Sequence, residues 1–308
     1  MAERSDEIFG LADLQNWPSQ KRAEEPPIRL GVFGNPVAHS LSPRIQNAAL
    51  EKCEIDARYA AFQIAPNELA AALALLPKLG FLGVNLTLPH KIAAATLVDE
   101  LDAFARQAGA INTVRVAKGR LFGSNTDAPG FARALRSEFS VDLRDLRVLL
   151  LGAGGAARAI AWQCAAEGCP RLVIASRRLE AAQQLVQALR PAFLEGRVSA
   201  PAARWEAAPW EERALRSQIA NIDLVVNATS LGLQPSDPSP LAPSLLLPRL
   251  LVYDTIYRPE RTALVRMAAE AGARVANGSS MLLHQGALSF ETWFARAAPL
   301  AEMRAALA

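Results

Sequence analysis

Cysteine is scarce, with Cys53, Cys164 and Cys169 the only three in 308 residues. Three thiols cannot build a disulfide framework, and none has the neighbours of a zinc site. The chain therefore reads as a protein of a reducing compartment, the cytoplasm. Histidine is as sparse: His39, His90 and His284 lack the H-x-x-x-H spacing of a metal pair, and no metal is expected. No apolar run reaches the roughly 18 residues of a membrane span. The opening MAERSDEIFG puts acids ahead of any apolar stretch, unlike a secretory signal. Nor is charge concentrated: 33 Lys and Arg face 30 Asp and Glu, a net charge of +3, with no basic block to attract nucleic acid. What the chain does have is apolar residues, 51% of the total, and length. Domains of roughly 100–200 residues suggest two of them, and a chain of this size can bury roughly 75% of its unfolded surface.

Residues 1–27 read as an extension, a partly disordered tail. The alternative is a short helix with Ile8, Phe9, Leu11, Leu14 and Trp17 on one side, docked on the body or on a partner chain. Glu24-Glu25-Pro26-Pro27 would end it. Apolar runs then alternate with amphipathic stretches. The pattern predicts strands at 29–34, 58–64 and 83–87, and helices at 43–53, 66–78 and 99–107. Residues 112–125 carry two extended arms around Lys118-Gly119, a hairpin signal. A connecting helix at 127–139 leads into a second series. Its strands are expected at 147–152, 171–176, 224–228, 251–257 and 274–276, and its helices at 155–167, 179–190, 210–219 and 261–271. Strands separated by helices imply parallel sheet with right-handed crossovers, an α/β fold class. Five prolines in 234–248 predict a surface loop, and 279–297 a final long helix. The expected division is an extension at 1–27, one domain from 28–126 plus 279–308, and a second from 127–278.

RVLLLGAGGAARA (147–159) is a strand, a glycine turn and a helix start. Gly152, Gly154 and Ala157 fit G-x-G-x-x-A: a tight turn, room for a pyrophosphate, and a small residue where helix meets strand. Backbone N–H groups at the helix N-terminus would face the phosphates, assisted by the helix dipole. An NAD-selective site places an acid about 20 residues further on. Ser176-Arg177-Arg178 stands there instead, and guanidiniums suit the extra phosphate of NADP.

Four polar clusters interrupt the apolar pattern: GNPVAHSLSP (34–43), GVNLTLPHK (83–91), GAINTVRVAKGRLFGSNTDAPG (109–130) and NGSSMLLHQGALSFETW (277–293). Each falls at a strand end or helix start, where open α/β sheets bind ligands. Ser40, Ser42, Thr87, Lys91, Asn112, Asp127 and Gln285 offer hydroxyls, an ammonium, amides and a carboxylate, a set suited to a small polyol acid. The histidines read more plainly: His39 supports its loop, His90 is exposed, and His284 is structural. Met281 and Trp293 read as core.

With these clusters in order, and with NATSLGL (227–233) and YDTIYRP (253–259), the sequence resembles the shikimate dehydrogenase family over about residues 29–298. The resemblance implies NADP-dependent, reversible reduction of 3-dehydroshikimate to shikimate in aromatic amino acid biosynthesis. It implies an N-terminal α/β catalytic domain, completed by the C-terminal helices, and a Rossmann-type NADP-binding domain. It puts Ser40 and Ser42 on the substrate carboxylate, Asn85, Thr87 and Lys91 at the ring hydroxyls, and Asn112 and Asp127 beside them. Tyr257 and Gln285 fall on the far side of the substrate, and Lys91 is the acid–base group with Asp127. Gly152, Ala153, Gly154, Gly155 and Ala156 match the phosphate loop, and Ser176, Arg177 and Arg178 take the adenosine phosphate; Thr255 and Gly278 lie near the nicotinamide. Two departures stand out. Gln46 precedes Asn47 where the family has His, a change expected to affect local packing. Ser176, Arg178 and Ala181 also depart from the adenosine motif, which leaves the strength of NADP preference open. The expected assembly is a monomer or homodimer. Alternatives are a quinate/shikimate dehydrogenase of broader substrate or cofactor use, and a non-enzymatic NADP-binding regulator. A glutamyl-tRNA reductase would need a nucleophilic cysteine in the catalytic half, where only Cys53 stands, inside a predicted helix.

Overall fold

The computed structural model describes residues 7–17, 26–194 and 204–307. They divide into two units, Met1–Thr126 with Leu283–Ala308, and Asp127–Leu282.

The first unit holds a seven-stranded sheet. Its strands are β1 (Ile8–Phe9), β2 (Ile28–Gly34), β3 (Arg58–Gln63), β4 (Gly83–Leu86), β5 (Glu100–Leu101), β6 (Thr113–Ala117) and β7 (Arg120–Ser124). The spatial order is β1-β3-β2-β4-β6-β7-β5. β1, β3, β2 and β4 run parallel, β4–β6 and β6–β7 are antiparallel, and β7–β5 is parallel. β2 is buried at all but one of its positions, as a central strand covered on both faces must be. The β6–β7 hairpin turns at Lys118 and Gly119 with φ of 51° and 74°, the paired left-handed residues of a two-residue turn. The helix Ser42–Lys52 carries Pro43 in its first turn, where a fixed φ is suited.

The second unit holds six parallel strands: β8 (Arg147–Leu151), β9 (Arg171–Ser176), β10 (Arg204–Pro209), β11 (Leu224–Asn227), β12 (Leu251–Asp254) and β13 (Arg274–Ala276). Their order, β10-β9-β8-β11-β12-β13, is the doubly wound order 3-2-1-4-5-6. Val148 through Leu151, Leu172 through Ala175 and Leu224 through Val226 are fully buried beneath helices that include Gly155–Ala166 and Ala263–Glu270.

Several elements differ from the sequence reading. Part of the extension is ordered: β1 pairs with β3, the helix Leu11–Gln15 follows, and Phe9, Leu14 and Trp17 are buried. Strand pairing at Ile8 and Phe9 outweighs the helical spacing, and aromatic burial outweighs chain entropy. The rest of that tail, 1–6 and 18–25, lies outside the described residues. The helix expected at 99–107 begins only at Ala103, because residues 100 and 101 form β5 and Asp102 Oδ1 accepts the Ala105 N–H at 2.6 Å as an N-cap. The predicted helix 66–78 is a 3-10 turn, Pro66–Glu68, and a helix ending at Leu75. β12 stops at Asp254 rather than 257, since the Asp254 carboxylate accepts the Ile256 N–H and turns the chain. The last long helix ends at Phe294; Ala295 is left-handed, and a short helix, Leu300–Ala305, follows Pro299. β10 was not anticipated.

Candidate active site

In the first unit, three of the four polar clusters, those of 83–91, 109–130 and 277–293, meet around Asn112, which immediately precedes β6. Its side-chain amide donates to Thr126 Oγ1 at 2.9 Å and to Gln285 Oε1 at 3.2 Å. Its side-chain oxygen accepts the Thr126 N–H at 2.7 Å. The hydroxyls of Thr113, Thr126 and Ser289 form a triangle with edges of 2.8, 3.0 and 3.2 Å. Asn85 sits beside them: its Nδ2 lies 2.9 Å from Ser289 Oγ and 3.1 Å from the Asn112 carbonyl, and its Oδ1 accepts the Tyr59 hydroxyl at 2.9 Å. The Asn85 amide is thus engaged by the protein. All these side chains are buried, and removing one partner from such a network costs about 1–3 kcal/mol. Tyr59, Thr113, Thr126 and Ser289 were not singled out in the sequence. The available signal was the i,i+4 spacing of Gln285 and Ser289, which places them on one helix face.

The other substrate candidates of this unit lie on the turns after β2 and β4. Ser40 is half-buried, and its Oγ accepts the Ser42 N–H at 3.3 Å. Ser42 is buried at the first position of its helix. Gln46, at the family's His position, donates to the Gly286 carbonyl at 2.8 Å and so ties this helix to Ser279–Phe294. Asn47 closes both ends of its amide on the Tyr59 backbone, at 2.8 and 2.9 Å. Thr87 and Lys91 are half-buried, and the Lys91 carbonyl accepts the Ile111 N–H at 2.8 Å. His90 is not exposed as expected. It is 1% accessible, with Nε2 at 2.8 Å from the Ile64 carbonyl, and burial holds its pKa below the usual imidazole value. His39 is exposed, and Trp293 donates to the Val114 carbonyl at 3.0 Å.

In the second unit, β8 runs into the glycine turn. Gly152 has a φ of 116°, and its N–H donates to the Ala175 carbonyl of β9 at 2.8 Å. A Cβ there would lie 2.7 Å from the Ala228 carbonyl oxygen, so no side chain fits. At Gly154, the helix N-cap, an added Cβ would meet nothing within 4 Å. That open space and a helix start without a capping side chain fit a bound phosphate. Ala157 is fully buried, as the close helix–strand contact requires. Arg177 and Arg178 are exposed just past the end of β9, and Ser176 Oγ accepts the Arg178 N–H at 3.4 Å.

Gly278 approaches the backbone of Thr255 so closely that a Cβ would fall 2.1 Å from the Thr255 carbonyl oxygen. Two buried groups hold this region. The Tyr253 hydroxyl lies 2.9 Å from Ser280 Oγ and accepts the Met281 N–H at 3.1 Å. The Asp254 carboxylate accepts from Thr262, Asn227 and the Ile256 N–H, and burial pushes its pKa up to about 6. Tyr257 is half-buried, while Asp127 is 4% accessible at the start of the helix Asp127–Phe139. Among the described residues no cluster of three metal-ligating side chains occurs, and no helix is long and apolar enough to cross a membrane.

A doubly wound six-stranded domain with a phosphate-ready glycine loop, in one chain with a mixed-sheet domain rich in buried hydroxyls and amides, defines a two-domain α/β dehydrogenase. Comparison with known proteins makes the class specific. Residues 32–114 match the shikimate dehydrogenase substrate binding domain, 133–232 the shikimate / quinate 5-dehydrogenase family, and 278–308 the shikimate 5'-dehydrogenase C-terminal domain. The chain is 43% identical over 279 residues to the shikimate dehydrogenase (NADP(+)) of Symbiobacterium thermophilum, covering 90% of this chain and 92% of that protein. It is 39% identical over 280 residues to that of Methanopyrus kandleri, covering 90% and 94%. The crystal structure of shikimate 5-dehydrogenase from Thermus thermophilus in complex with NADP(H) and shikimate superposes with a TM-score of 0.78 at 36% identity, covering 91% and 98%. The chain belongs to the shikimate dehydrogenase family.

Proposed function

We propose that this protein is an NADP-dependent shikimate dehydrogenase, reducing 3-dehydroshikimate to shikimate reversibly in aromatic amino acid biosynthesis. The observation that carries the reading is the 43% identity to an NADP-dependent family member across 90% of the chain, with the polar motifs of both units in place. Residues 28–126 with 279–308 serve as the substrate domain and 127–278 as the cofactor domain. NADP, when bound, supplies the hydride. The N–H groups from Gly152 to Ala156 hold its pyrophosphate, Ser176, Arg177 and Arg178 its adenosine phosphate, and Thr255 and Gly278 border its nicotinamide.

On the substrate side, Ser40 and Ser42 orient the carboxylate. Thr87, Asn112, Tyr257 and Gln285 hold ring oxygens. Asn85 joins them at the ring hydroxyls, and its Nδ2, 3.1 Å from the Asn112 carbonyl, also steadies that residue. Lys91 donates the proton that the ketone oxygen gains and stabilises its growing charge; Asp127 holds the same hydroxyl and orients the ammonium. The substrate is a small molecule, with no nucleic-acid or membrane partner, and the assembly is a monomer or homodimer. A cytoplasmic location accords with three free cysteines.

Initial rates with shikimate or quinate, each with NADP or NAD, test the reading. Shikimate with NADP is the expected fastest pair, and Lys91→Ala should cut kcat by about 10²–10⁴-fold with little change in KM. A folded wild-type protein that binds NADP but turns over neither substrate overturns it.

A further inference from the structure

Between β4 and the following 3-10 turn, the burial pattern runs against polarity. Leu88 and Ile92 are exposed, at 55% and 43%, while His90 between them is 1% accessible. Hydrophobicity alone would turn this segment the other way. A specific bond reverses it: His90 Nε2 lies 2.8 Å from the carbonyl oxygen of Ile64, just past the end of β3. A carbonyl can only accept, so Nε2 carries the proton.

The turn that results is held from several sides. The Thr87 N–H donates to the Phe33 carbonyl at 2.9 Å, and the Leu88 carbonyl accepts the Asn35 N–H at 3.0 Å. His90 N–H donates back to the Thr87 carbonyl at 2.9 Å, and the Lys91 carbonyl accepts the Ile111 N–H at 2.8 Å. The neighbours of His90 in this turn are thus the two residues assigned to the substrate, Thr87 and Lys91. All these ties are made by the backbone except one, the imidazole.

We propose that His90 is a positioning residue for Lys91, its ring clamping the Thr87–Lys91 turn to the Ile64 carbonyl so that the Lys91 ammonium is presented in one orientation. The role rests on the dehydrogenase reading above, in which Lys91 transfers the proton. His90 itself touches no substrate. An aliphatic or phenyl side chain would fill the same volume but leave the Ile64 carbonyl buried without its donor, and the turn would gain freedom. A displacement of about 1 Å in a reacting group costs on the order of 10²-fold in rate.

Three variants decide the matter: His90→Leu, His90→Phe and His90→Gln. The glutamine amide can place an N–H near the position of Nε2. Each is measured for kcat, for KM of shikimate, and for NADP affinity by calorimetry, which also counts folded molecules. His90→Leu and His90→Phe should lose about 10–100-fold in kcat per folded molecule, with NADP affinity unchanged, and His90→Gln should recover most of the loss. A purely structural histidine would lower the thermal midpoint but leave kcat per folded molecule intact, and that result overturns the proposal. If His90→Leu fails to fold, the glutamine and phenylalanine variants carry the test: glutamine above phenylalanine in kcat upholds it, equality or the reverse overturns it. An inactive wild type would overturn the dehydrogenase reading, and this assignment with it.

Discussion

Asp254 is a carboxyl group kept from water at the end of β12. Three donors reach it, from Thr262, Asn227 and the Ile256 backbone, yet burial dominates and pushes its pKa up to about 6 from the ordinary 3.8. The folded state therefore binds a proton more tightly than the unfolded chain. The stabilisation is fully present below about pH 4 and is lost as pH rises through about 6. The difference between the two values corresponds to about 3 kcal/mol. Asp254→Asn keeps the acceptor for Ile256 and Asn227 and removes the titration. Urea unfolding of the two proteins at pH 4 and pH 7 should show the asparagine variant gaining stability over wild type at the higher pH; an equal difference at both pH values would refute the account. The same scale shows what a sequence discloses about a site. Gly152 and Gly154 announce themselves, because a phosphate loop needs glycine at that spacing. Ser42 and Lys91 stand out by falling in polar breaks of an apolar pattern. Asn85 is named only through the family resemblance, and its partners Tyr59, Thr113 and Ser289 come from β3, β6 and the final long helix; no local pattern joins residues so far apart in the chain.

Among the elements, the N-terminal segment does more than its composition suggests. β1 covers the outer edge of β3, and edges left bare invite association with other strands. Trp17 then packs with ring centroids 5.5 Å from Phe9, 5.8 Å from Phe62 and 5.7 Å from Phe81. Trp17→Ala should cost about 3–5 kcal/mol, read as a lower denaturant midpoint of the first unit at an unchanged slope. A loss within experimental error would mean that the segment is an ornament. The spacing of Ile8, Leu11 and Leu14 suggested a helix, and half of the segment is one; the strand half depends on β3, which is remote in sequence. The β6–β7 hairpin was legible because Lys118-Gly119 encodes its own turn. The helix Asp127–Phe139 was legible from its periodicity. β10 was not, since RWEAAP has no β-branched residue, ends in proline and lies at an edge, where one neighbour suffices.

At the scale of the whole molecule, the two units have separate cores and the proposed cofactor belongs to the second. Ligand at 100 times its Kd stabilises the state that binds it by about 2.7 kcal/mol. Calorimetry of the full chain should therefore show NADP raising the transition of the second unit, while Trp17→Ala lowers that of the first and leaves the NADP-dependent rise in place. A rise abolished by Trp17→Ala would show the units to be one thermodynamic body. The first unit is also discontinuous in the chain. Ser289 joins the Thr113–Thr126 triangle, Trp293 bonds the Val114 carbonyl, and Met303 is fully buried in the same unit. During synthesis, then, the first unit waits. When a ribosome has made Thr126, the amides of Asn85 and Asn112 still lack Ser289 and Gln285, whereas the second unit, contiguous from Asp127 to Leu282, has all its strands before the stretch beyond 283 emerges. Translation order and folding order are opposed in this protein: the half made first is the half finished last, and a nascent chain must keep its N-terminal apolar surface out of trouble until the stretch from Leu283 onward has been made.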